Sequence, residues 1–478
     1  MEHTFPDILP ILPEIFLAVA AIGLLIGGAF SDEEAVPTIS LLAIFSIVGA
    51  IAIMLVFTPL RTTFDGAFIQ DGFSRYLKIL TLLAAGFCVA MSTAYARHQS
   101  FPRFEYPVLI MLATVGMMLM ISANDMIGVY LGLELQSLSI YVVVSINRDS
   151  TRSTEAGLKY FVLGALSSGM LLYGISLIYG FTGSTQFNGI AAGMAADGVG
   201  LGVVFGIVFV IAGLAFKVSA VPFHMWTPDV YEGAPSPVTA FLAAAPKVAA
   251  MALFTRVMID AFQPAADQWQ QIVVFLSIMS MVLGAFAAIT QTNIKRLMAY
   301  SSIGHIGYAL IGLAAGTEGG IVSVVIYMTV YLATTLGAFA CILAMRRADE
   351  GMVEDINDLA GLVRTKPWMA AAFTMLLFSL AGIPPMVGFF GKFYVFLAAV
   401  EADMIPLAVI GVLSSAVAAY YYLRIIKIMM IDEPRDRFEP MAGELRVILA
   451  LSGAFSILFF LVWTPILSAA TTAAQSLF

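Results

Sequence analysis

Charged side chains are scarce in this sequence. They make up 11% of its 478 residues, whereas hydrophobic residues make up 60%. A soluble globular domain carries about 25% charged residues. A chain of this composition cannot cover its surface with groups that water solvates, so the composition excludes a soluble globular protein.

Cysteine is nearly absent as well. Cys88 and Cys341 lie far apart inside apolar stretches, which argues against a disulfide framework, a CxxC site, an iron–sulfur cluster or covalent haem. The sequence also lacks an HExxH metal motif, a glycine-rich nucleotide-binding loop and a basic patch for nucleic acid. We therefore expect no cofactor, metal or nucleic acid to be bound by this chain.

Long apolar segments, in contrast, fill the sequence. A helix needs about 20 apolar residues to cross a bilayer, and we count fourteen such windows, which predicts an all-α polytopic membrane protein. The first segment follows no basic n-region, so we expect it to be retained rather than removed as a signal peptide. The predicted spans are 8–28, 36–58, 72–95, 105–121, 125–146, 155–181, 199–221 with a short continuation to 230, 237–259, 269–290, 294–315, 320–345, 367–399, 403–430 and 445–467.

The loops between these spans differ in their basic residues. Fifteen Lys and Arg residues lie in odd-numbered loops or at their helix ends, whereas the even-numbered loops contain only Arg61 and Arg256. Basic residues in short loops stay on the cytoplasmic side of the membrane. We therefore expect both termini outside, and the regular alternation supports the count of fourteen.

Six basic residues lie inside predicted spans instead. Arg75 and Lys78 are near the start of the third span, where we expect their side chains to snorkel to the interface. Lys159 is about one turn from the cytoplasmic end of its span, so snorkelling and a functional role both stay open for it. The other three are Lys217, Lys247 and Lys392.

Glu134 is an acidic residue midway along the fifth span. An ionised carboxylate at this depth costs several kcal/mol unless it is paired, hydrated or protonated, so a residue of this kind suggests a function. The alternative is a structural hydrogen bond between helices, since Gly128 and Gly132 four residues apart favour close helix packing there.

Two spans contain both a lysine and a helix break. Lys217 lies five residues before Pro222, and Lys392 follows Pro384, Pro385 and two glycines. Proline interrupts the helical hydrogen bonds, and irregular backbone at membrane depth survives only inside protein or beside a water-filled cavity. Paired broken helices indicate an ion site in transporters built from repeats.

Lys247 lies among alanines after Pro246, about eleven residues into its span. Burial favours its neutral amine, so this lysine can take up and release a proton; a snorkelling anchor is the alternative. Among the histidines, His3 and His98 lie in polar contexts, whereas His224 follows the Pro222 break and His305 lies near hydroxyl groups. The latter two could relay protons or simply pack.

These residues resemble those of the antiporter-like subunits of proton-pumping NADH:quinone oxidoreductase, respiratory complex I, and among them the bacterial subunit N type. The resemblance covers essentially the whole chain and is most specific in the stretches GLELQSLSIYVVV, LAFKVSAVPFHMWTPDVYEGAPSPVTAFLAAAPKVAA and NIKRLMAYSSIGHIGYAL. It implies two inverted repeats of five helices, each with a broken helix. The implied segments are 1–104, 105–260 for the first repeat, 261–432 for the second and 433–478.

The resemblance also implies functional residues. Glu134 and Lys217 match the family's carboxylate–lysine pair, Lys247 its central lysine, and Lys392 the lysine of the second broken helix. Secondary polar positions are matched by Lys159, His224, Tyr300 and His305. The chain stops soon after the fourteenth span and so lacks the lateral helix of the L type, and the M type generally carries Glu where Lys392 stands.

The resemblance implies a proton-translocating subunit in the inner membrane of a bacterium, with other complex I membrane subunits, lipids and protons as partners. NADH, FMN, iron–sulfur clusters and quinone are expected only in other subunits. A change in the pairing of Lys217 with Glu134 would then shift the proton of Lys247. Two alternatives stay open: a subunit of a cation/proton antiporter that could carry sodium, and a structural membrane subunit without a proton path.

Overall fold

The computed structural model describes residues 7–31, 35–98, 103–435 and 437–478, without the side chains at 94, 96–98 and 197. His3 therefore lies outside the described residues, as does the side chain of His98. The described helices are α1 (Leu12–Ala29), α2 (Val36–Val56), α3 (Gly72–His98), α4 (Glu105–Ile121), α5 (Met126–Val144), α6 (Thr151–Thr182), α7 (Phe187–Asp197), α8 (Leu201–Val218), α9 (Thr227–Gly233), α10 (Ser236–Ala243), α11 (Ala245–Arg256), α12 (Ala266–Ile289), α13 (Ile294–Ala315), α14 (Glu318–Leu343), α15 (Leu362–Thr365), α16 (Pro367–Ala381), α17 (Val387–Glu401), α18 (Ile405–Ile431) and α19 (Gly443–Gln475).

The helices confirm an all-α polytopic membrane architecture. Twelve helical segments in the described residues are long and apolar enough to cross a membrane. The 17-residue α4 and the interrupted pair α16 and α17 account for the two further predicted spans. The seventh span is α8 continued by α9, broken after Val218 as Pro222 predicted. Helix α7, which lies in the sixth loop, was not predicted.

Polar side chains determine where several helices begin. The Asp125 carboxylate accepts a hydrogen bond from the amide of Ile127 at the start of α5. Asn293 accepts from the amides of Lys295 and Arg296 at the start of α13. These caps satisfy amides that have no partner within the first helical turn, so the short polar loops fix the helix starts.

The loops sort into two faces. In the second loop β1 (Arg61–Thr63) pairs antiparallel with β2 (Phe68–Gln70), and in the eleventh β3 (Arg346–Arg347) pairs with β4 (Gly351–Met352). Single bridges then join loops of like parity: Phe68 with Ala123, Asp125 with Gln186, and Asn293 with Asp355. Even-numbered loops thus contact even-numbered loops and odd contact odd, which agrees with the span count.

The centre of the molecule is formed by the segment Ser236–Ala261 and by α13 and α14. Their most apolar windows are 94 to 100% buried, whereas those of α1 and α2 are 28% and 33% buried. Large apolar side chains cover the outer helices, as expected where lipid rather than water is the solvent. Ionisable residues on the central helices therefore lie away from lipid.

Each of the two predicted repeats contains a close contact between its first two helices. A Cβ atom at Gly116 of α4 would come within 2.4 Å of the main chain of Gln136 in α5. At Gly284 of α12 it would come within 2.7 Å of the main chain of Gly304 in α13. Only glycine permits such backbone approach. The boundaries 105–260 and 261–432 stay predictions.

Two basic residues do not lie where the sequence suggested. The expectation that Lys78 snorkels is wrong: it is 0% exposed, its Nζ atom lies 2.5 Å from Oε1 of Glu14, and it donates to Gln70. Arg256, assigned to a loop, is the fully buried last residue of α11. Lys78 pairs with Glu14 and Arg256 pairs with Asp71, both distant in sequence, so tertiary packing overrode the interfacial tendency. Arg75 reaches the carbonyl of Thr58 just after α2, which fits an interfacial position.

Candidate functional site

The first broken helix ends beside Lys217. Helix α8 stops at Val218, and Ser219 has a left-handed φ of 66°. Lys217 lies in the last turn, is 7% exposed and donates a 2.6 Å hydrogen bond to the hydroxyl of Ser137 on α5. The hydroxyl of Tyr141, one turn further along α5, lies 3.5 Å from the same Nζ atom. A cation at this position is stabilised by the negative end of the helix dipole.

Lys247 binds the same helix end from the opposite side. Its Nζ atom donates a 2.8 Å hydrogen bond to the carbonyl of Val218, the last residue of α8, and the side chain is 1% exposed. The ring of Trp226 lies 5.8 Å away. The break in α8 leaves this carbonyl without a helical donor, and Lys247 supplies one.

A second interruption that the sequence analysis missed positions Lys247. The eighth span is divided at Ala244, between α10 and α11, where the backbone is at φ −106° and ψ −91°. Pro246 follows in the first turn of α11 and cannot donate to a preceding carbonyl. Pro246 was the signal in the sequence, and it was read only as a neighbour of the lysine.

Lys392 repeats this arrangement at the second broken helix. Its Nζ atom donates to the carbonyl of Ala381, the last residue of α16, at 2.9 Å and to the hydroxyl of Ser415 at 2.8 Å. Gly382 follows at a φ of 83°, and a Cβ atom there would come within 2.7 Å of the Lys392 side chain. Each broken helix therefore ends against a buried lysine.

Glu134 is not in direct contact with Lys217. No ion pair of 4 Å or less joins the two, although the carboxylate acts on the lysine electrostatically. Oε1 of Glu134 is buried and accepts no hydrogen bond from the described residues. Ser137, one turn along α5, takes the lysine instead. The structure thus brings Glu134 and Lys217 near each other and leaves the lysine charge without an acidic contact.

His305 lies in a buried network of hydroxyl groups. Its Nδ1 atom is 2.6 Å from the hydroxyl of Tyr327, and its Nε2 atom is 3.1 Å from that of Tyr422. Tyr422 in turn contacts Ser301 at 2.5 Å. A narrow cavity is lined by both His305 and Lys392. The histidine and the second lysine therefore belong to one polar region.

Tyr331 connects this region to the first half of the molecule. Its hydroxyl donates a 2.9 Å hydrogen bond to the carbonyl of Ala243, the last residue of α10, beside the interruption that precedes Lys247. The rings of Tyr331 and His305 are 5.4 Å apart, centroid to centroid. Tyr331 was not predicted as a site residue, because one tyrosine among many apolar residues carries no local signal.

Lys159 lies in a different place, at the odd-loop face. It is 43% exposed and forms ion pairs with Glu155 at 2.8 Å and with Asp229 at 2.9 Å. Asp229 in α9 also binds Arg296 at 2.7 Å. An open cleft borders this group. Further ion pairs of this face, which the sequence analysis missed, join Arg152 with Glu232 and Glu354, Arg296 with Glu232, and Lys295 with Glu354.

The two remaining predicted residues lie apart from the lysines. His224 is half-buried beside the exposed Met225, and its Nδ1 atom is buried without a hydrogen-bond partner in the described residues. Tyr300 is half-buried on α13, one turn after Arg296. The structure joins neither of them to Lys247 or Lys392 by a hydrogen bond.

The described residues contain no group of three or more His, Cys, Asp or Glu side chains that could hold a metal ion. Cys88 and Cys341 are both buried and free. The side chains of this site are amines, a carboxyl group, an imidazole and hydroxyls. All of these can bind, release or pass a proton.

The chain matches the protein family described as NADH:quinone oxidoreductase/Mrp antiporter, TM, over residues 123–418. Curated relatives extend the match to the whole chain. NADH-quinone oxidoreductase subunit N 1 of Rhizobium meliloti is 58% identical over 98% of this chain and 97% of its own. NADH-quinone oxidoreductase subunit N of Parvibaculum lavamentivorans is 60% identical over 99% of this chain and 98% of its own.

Solved structures share the fold. A chain of respiratory complex I from Thermus thermophilus superposes with a TM-score of 0.82 at 31% identity, covering 96% of this chain and 99% of that one. A chain of the Mrp complex from Dietzia reaches a TM-score of 0.83 at 22% identity, covering 97% of each. The second likeness concerns the fold alone.

Proposed function

Because the chain belongs to the family of NADH-quinone oxidoreductase subunit N, a membrane subunit of respiratory complex I that translocates protons, we propose that it does so through Glu134, Lys217, Lys247 and Lys392. Lys159, His224, Tyr300 and His305 are assigned supporting positions in this proposal. The observation that carries it is the placement of a buried lysine ammonium at the carbonyl end of each broken helix.

The helix ends make these lysines reversible proton carriers. A buried ammonium is costly without a partner, and the carbonyl and the helix dipole reduce that cost without supplying a full negative charge. A carboxylate partner in place of the carbonyl would hold the proton on the ammonium more firmly. An amine held only by a carbonyl and a hydroxyl remains able to lose its proton when a neighbouring charge changes.

Lys217 is the neighbouring charge for Lys247. Lys217 precedes Val218, whose carbonyl binds Lys247, so the two cations share one helix end. Unit charges about 8 Å apart repel by about 2 kcal/mol at an effective dielectric of about 20. When the Glu134 carboxylate moves toward Lys217 it screens this repulsion, and when it moves away the proton is driven from Lys247.

Protons are exchanged between Lys247 and the second half of the molecule. Tyr331, which donates to the Ala243 carbonyl, lines one cavity together with His305, Tyr327 and Lys392. Hydroxyl and imidazole groups can relay a proton by exchanging hydrogen bonds. Lys392, which donates to Ser415, is the proton carrier of the second half. The direction of transfer between Lys247 and Lys392 is set by which of the two loses its proton first.

Energy for this movement comes from outside the chain. The redox groups implied by the family, NADH, FMN, iron–sulfur clusters and quinone, are assigned to partner subunits. The chain is a multi-pass membrane protein, and its partners are the other membrane subunits of the complex, including further antiporter-like subunits. In our proposal it lies in the inner membrane with both termini on the periplasmic side, as the basic residues of the odd-numbered loops indicate.

Substitution of the two carbonyl-bound lysines tests the proposal. Lys247→Met and Lys392→Met remove the titrating amine but keep an unbranched side chain that is only one atom shorter. Lys427→Met is the matched control, because Lys427 is 58% exposed and pairs with Asp432 at the surface. In assembled complex reconstituted into vesicles, both buried-lysine variants are expected to pump fewer protons per electron, while the control pumps normally.

Other results would favour the two alternatives. Normal pumping in both assembled lysine variants would exclude the proposed path. Loss of assembly without loss of coupling in the assembled fraction would indicate a structural subunit. Cation-driven proton transport by the chain alone in vesicles would indicate a freestanding antiporter function.

A further inference from the structure

Five charged side chains lie together under the even-numbered loops, away from the site described above. Glu14 comes from the first turn of α1, Asp71 from the residue before α3, and Lys78 from α3 itself. Arg256 ends α11, and Asp260 belongs to the π-helical turn Val257–Ala261 that follows. We refer to these five residues as the Glu14 cluster.

Ion pairs hold the Glu14 cluster together. Lys78 Nζ is 2.5 Å from Glu14 Oε1. Arg256 donates to both carboxylate oxygens of Asp71, at 2.9 and 2.8 Å, and to Asp260 at 3.0 Å. Glu14 is 2% exposed, and Lys78 and Arg256 are 0% exposed. Asp260 has the most accessible side chain of the five, at 19%, so the cluster is buried at Glu14 and reaches the surface at Asp260.

The charges of this cluster do not balance. Three carboxyl groups face two cations, which leaves one excess negative charge when every group is ionised. Uncharged groups beside it include Gln70, which accepts from Lys78 at 2.7 Å, Ser122, and the amide of Ser74, which donates to Asp71 at 2.7 Å. Arg75 of the same helix is directed to the Thr58 carbonyl instead. A buried uncompensated charge is costly, and one bound proton removes it.

Hydrogen bonding supports the same conclusion independently. Oε2 of Glu14 and Nε2 of Gln70 are both buried, yet neither has a hydrogen-bond partner among the described residues. Buried polar atoms in native proteins are almost always paired. The buried Glu14 side chain therefore has an oxygen free to carry a proton.

The cluster also lies in line with Lys247. Both Lys247 and Arg256 belong to α11, which is buried throughout, and nine residues correspond to about 14 Å along a helix axis. Arg256 further donates to the carbonyl of Ile121 at the end of α4. The cluster thus occupies the even-loop end of the helix whose other end carries the central lysine.

We propose that the Glu14 cluster is a proton-binding site on the release side of this subunit. The Glu14 carboxylate takes up a proton as an O–H group, and the proton leaves to water beside Asp260, with no other bond made or broken. The inference rests on the proposed function, because a release site has a purpose only if the subunit carries protons.

The test uses the assembled complex in sealed vesicles. Glu14→Gln keeps the size of the side chain and one carbonyl oxygen but cannot titrate, whereas Glu14→Asp can. We expect Glu14→Gln to lose this subunit's share of pumped protons and the infrared band of a protonated carboxyl group that appears during turnover. Glu14→Asp should retain both. Asp432→Asn, which alters an exposed ion pair, should behave as the wild type.

A Lys247→Met arm separates the two proposals. If Lys247→Met lowers pumping while Glu14→Gln pumps normally and keeps its band, the release site is excluded and the proposed function stands. If neither variant lowers pumping, the proposed function fails. If Glu14→Gln prevents assembly, Asp260→Asn is the alternative test, because Arg256 still pairs with Asp71 in that variant. Reduced pumping by Asp260→Asn supports the release site, and unchanged pumping overturns it.

Discussion

The Lys247 ammonium donates a 2.8 Å hydrogen bond to the carbonyl of Val218, the residue that ends the first half of the broken seventh span. This contact links the charge of Lys247 on α11 to the break that follows α8. Protonation of Lys247 and the geometry of the break therefore depend on each other. Lys392 and Ala381 form the corresponding contact at the second break, at 2.9 Å.

Replacing Lys247 should separate its two roles. Lys247→Met leaves the buried Val218 carbonyl without a donor, at a cost of about 1–3 kcal/mol, so we expect a lower unfolding temperature for the complex. Lys247→Arg keeps a donor but cannot release its proton near neutral pH. We expect the arginine variant to approach wild-type thermal stability and to lose pumping. A pumping arginine variant would contradict a carrier role for Lys247.

Gly382→Ala should displace the Lys392 side chain without removing its amine. The new Cβ atom would lie 2.7 Å from the lysine side chain, and the backbone φ of 83° is unfavourable for alanine by about 1–2 kcal/mol. We expect destabilisation and reduced proton pumping in vesicles. Gly453→Ala is the control, because a Cβ atom there meets nothing within 4 Å. Equal behaviour of the two variants would show that Lys392 tolerates displacement.

Tyr422→Phe should interrupt the His305 network. The lost hydroxyl contacts both His305 and Ser301, and unpaired buried groups cost about 1–3 kcal/mol. We expect slower proton pumping, measured as vesicle acidification at a fixed rate of NADH oxidation. Tyr420→Phe changes a tyrosine that is 57% exposed and should have no effect. If both variants pump alike, His305 is a packing residue.

The stability of the odd-loop face should depend on pH through Glu354. Burial alone would raise the pKa of this carboxyl group, but Lys295 at 2.5 Å, together with Asn293 and Arg152, outweighs it and lowers the pKa below 4.5. A lowered pKa in the folded state gives stability that is present above the unfolded pKa and is lost as the pH falls through the folded value. We therefore expect acid destabilisation below about pH 4.5.

Thermal unfolding of the complex across this acidic range measures the effect. Glu354→Gln should be less stable than the wild type at neutral pH and should lose part of the acid dependence. Asp349→Asn, at an exposed position of the same loop, should keep the wild-type curve. Parallel curves for the wild type and Glu354→Gln would contradict the assignment.

Cysteine labelling can establish the orientation. Phe478→Cys and Glu433→Cys place thiols at exposed positions after the fourteenth and thirteenth spans, respectively. We expect a membrane-impermeant maleimide to label the first from outside intact cells and the second only in inverted vesicles. Both native cysteines are 0% exposed, so background labelling should be low. The reverse pattern would invert the assigned topology.

Local patterns predicted most of the architecture. The fourteen spans follow from apolar length, and the breaks after Val218 and Ala381 follow from prolines that cannot continue a helix. The four principal candidates were recognisable because an ionisable residue inside an apolar run is costly and therefore conspicuous. Their roles stay predictions until the variants above are measured.

Long-range partners were beyond the reach of such patterns. Lys78 was expected at the interface, yet its partner Glu14 lies two helices away in the chain. Lys217 was expected to pair with Glu134, whereas the structure gives it Ser137. In both cases the choice is made by how helices pack. Sequence spacing predicts on which face of its own helix a side chain lies. It does not predict which neighbouring helix packs against that face.

The bridges between loops of like parity have a mechanical consequence. Main-chain hydrogen bonds join these loops on both faces. The amide of Ile69 donates to the carbonyl of Ser122 on one face, and the amide of Ile294 donates to the carbonyl of Glu354 on the other. We expect a sideways displacement by an adjoining subunit to be taken up less by these joined loops than by the interruptions of the seventh, eighth and twelfth spans, where Lys247 and Lys392 are held.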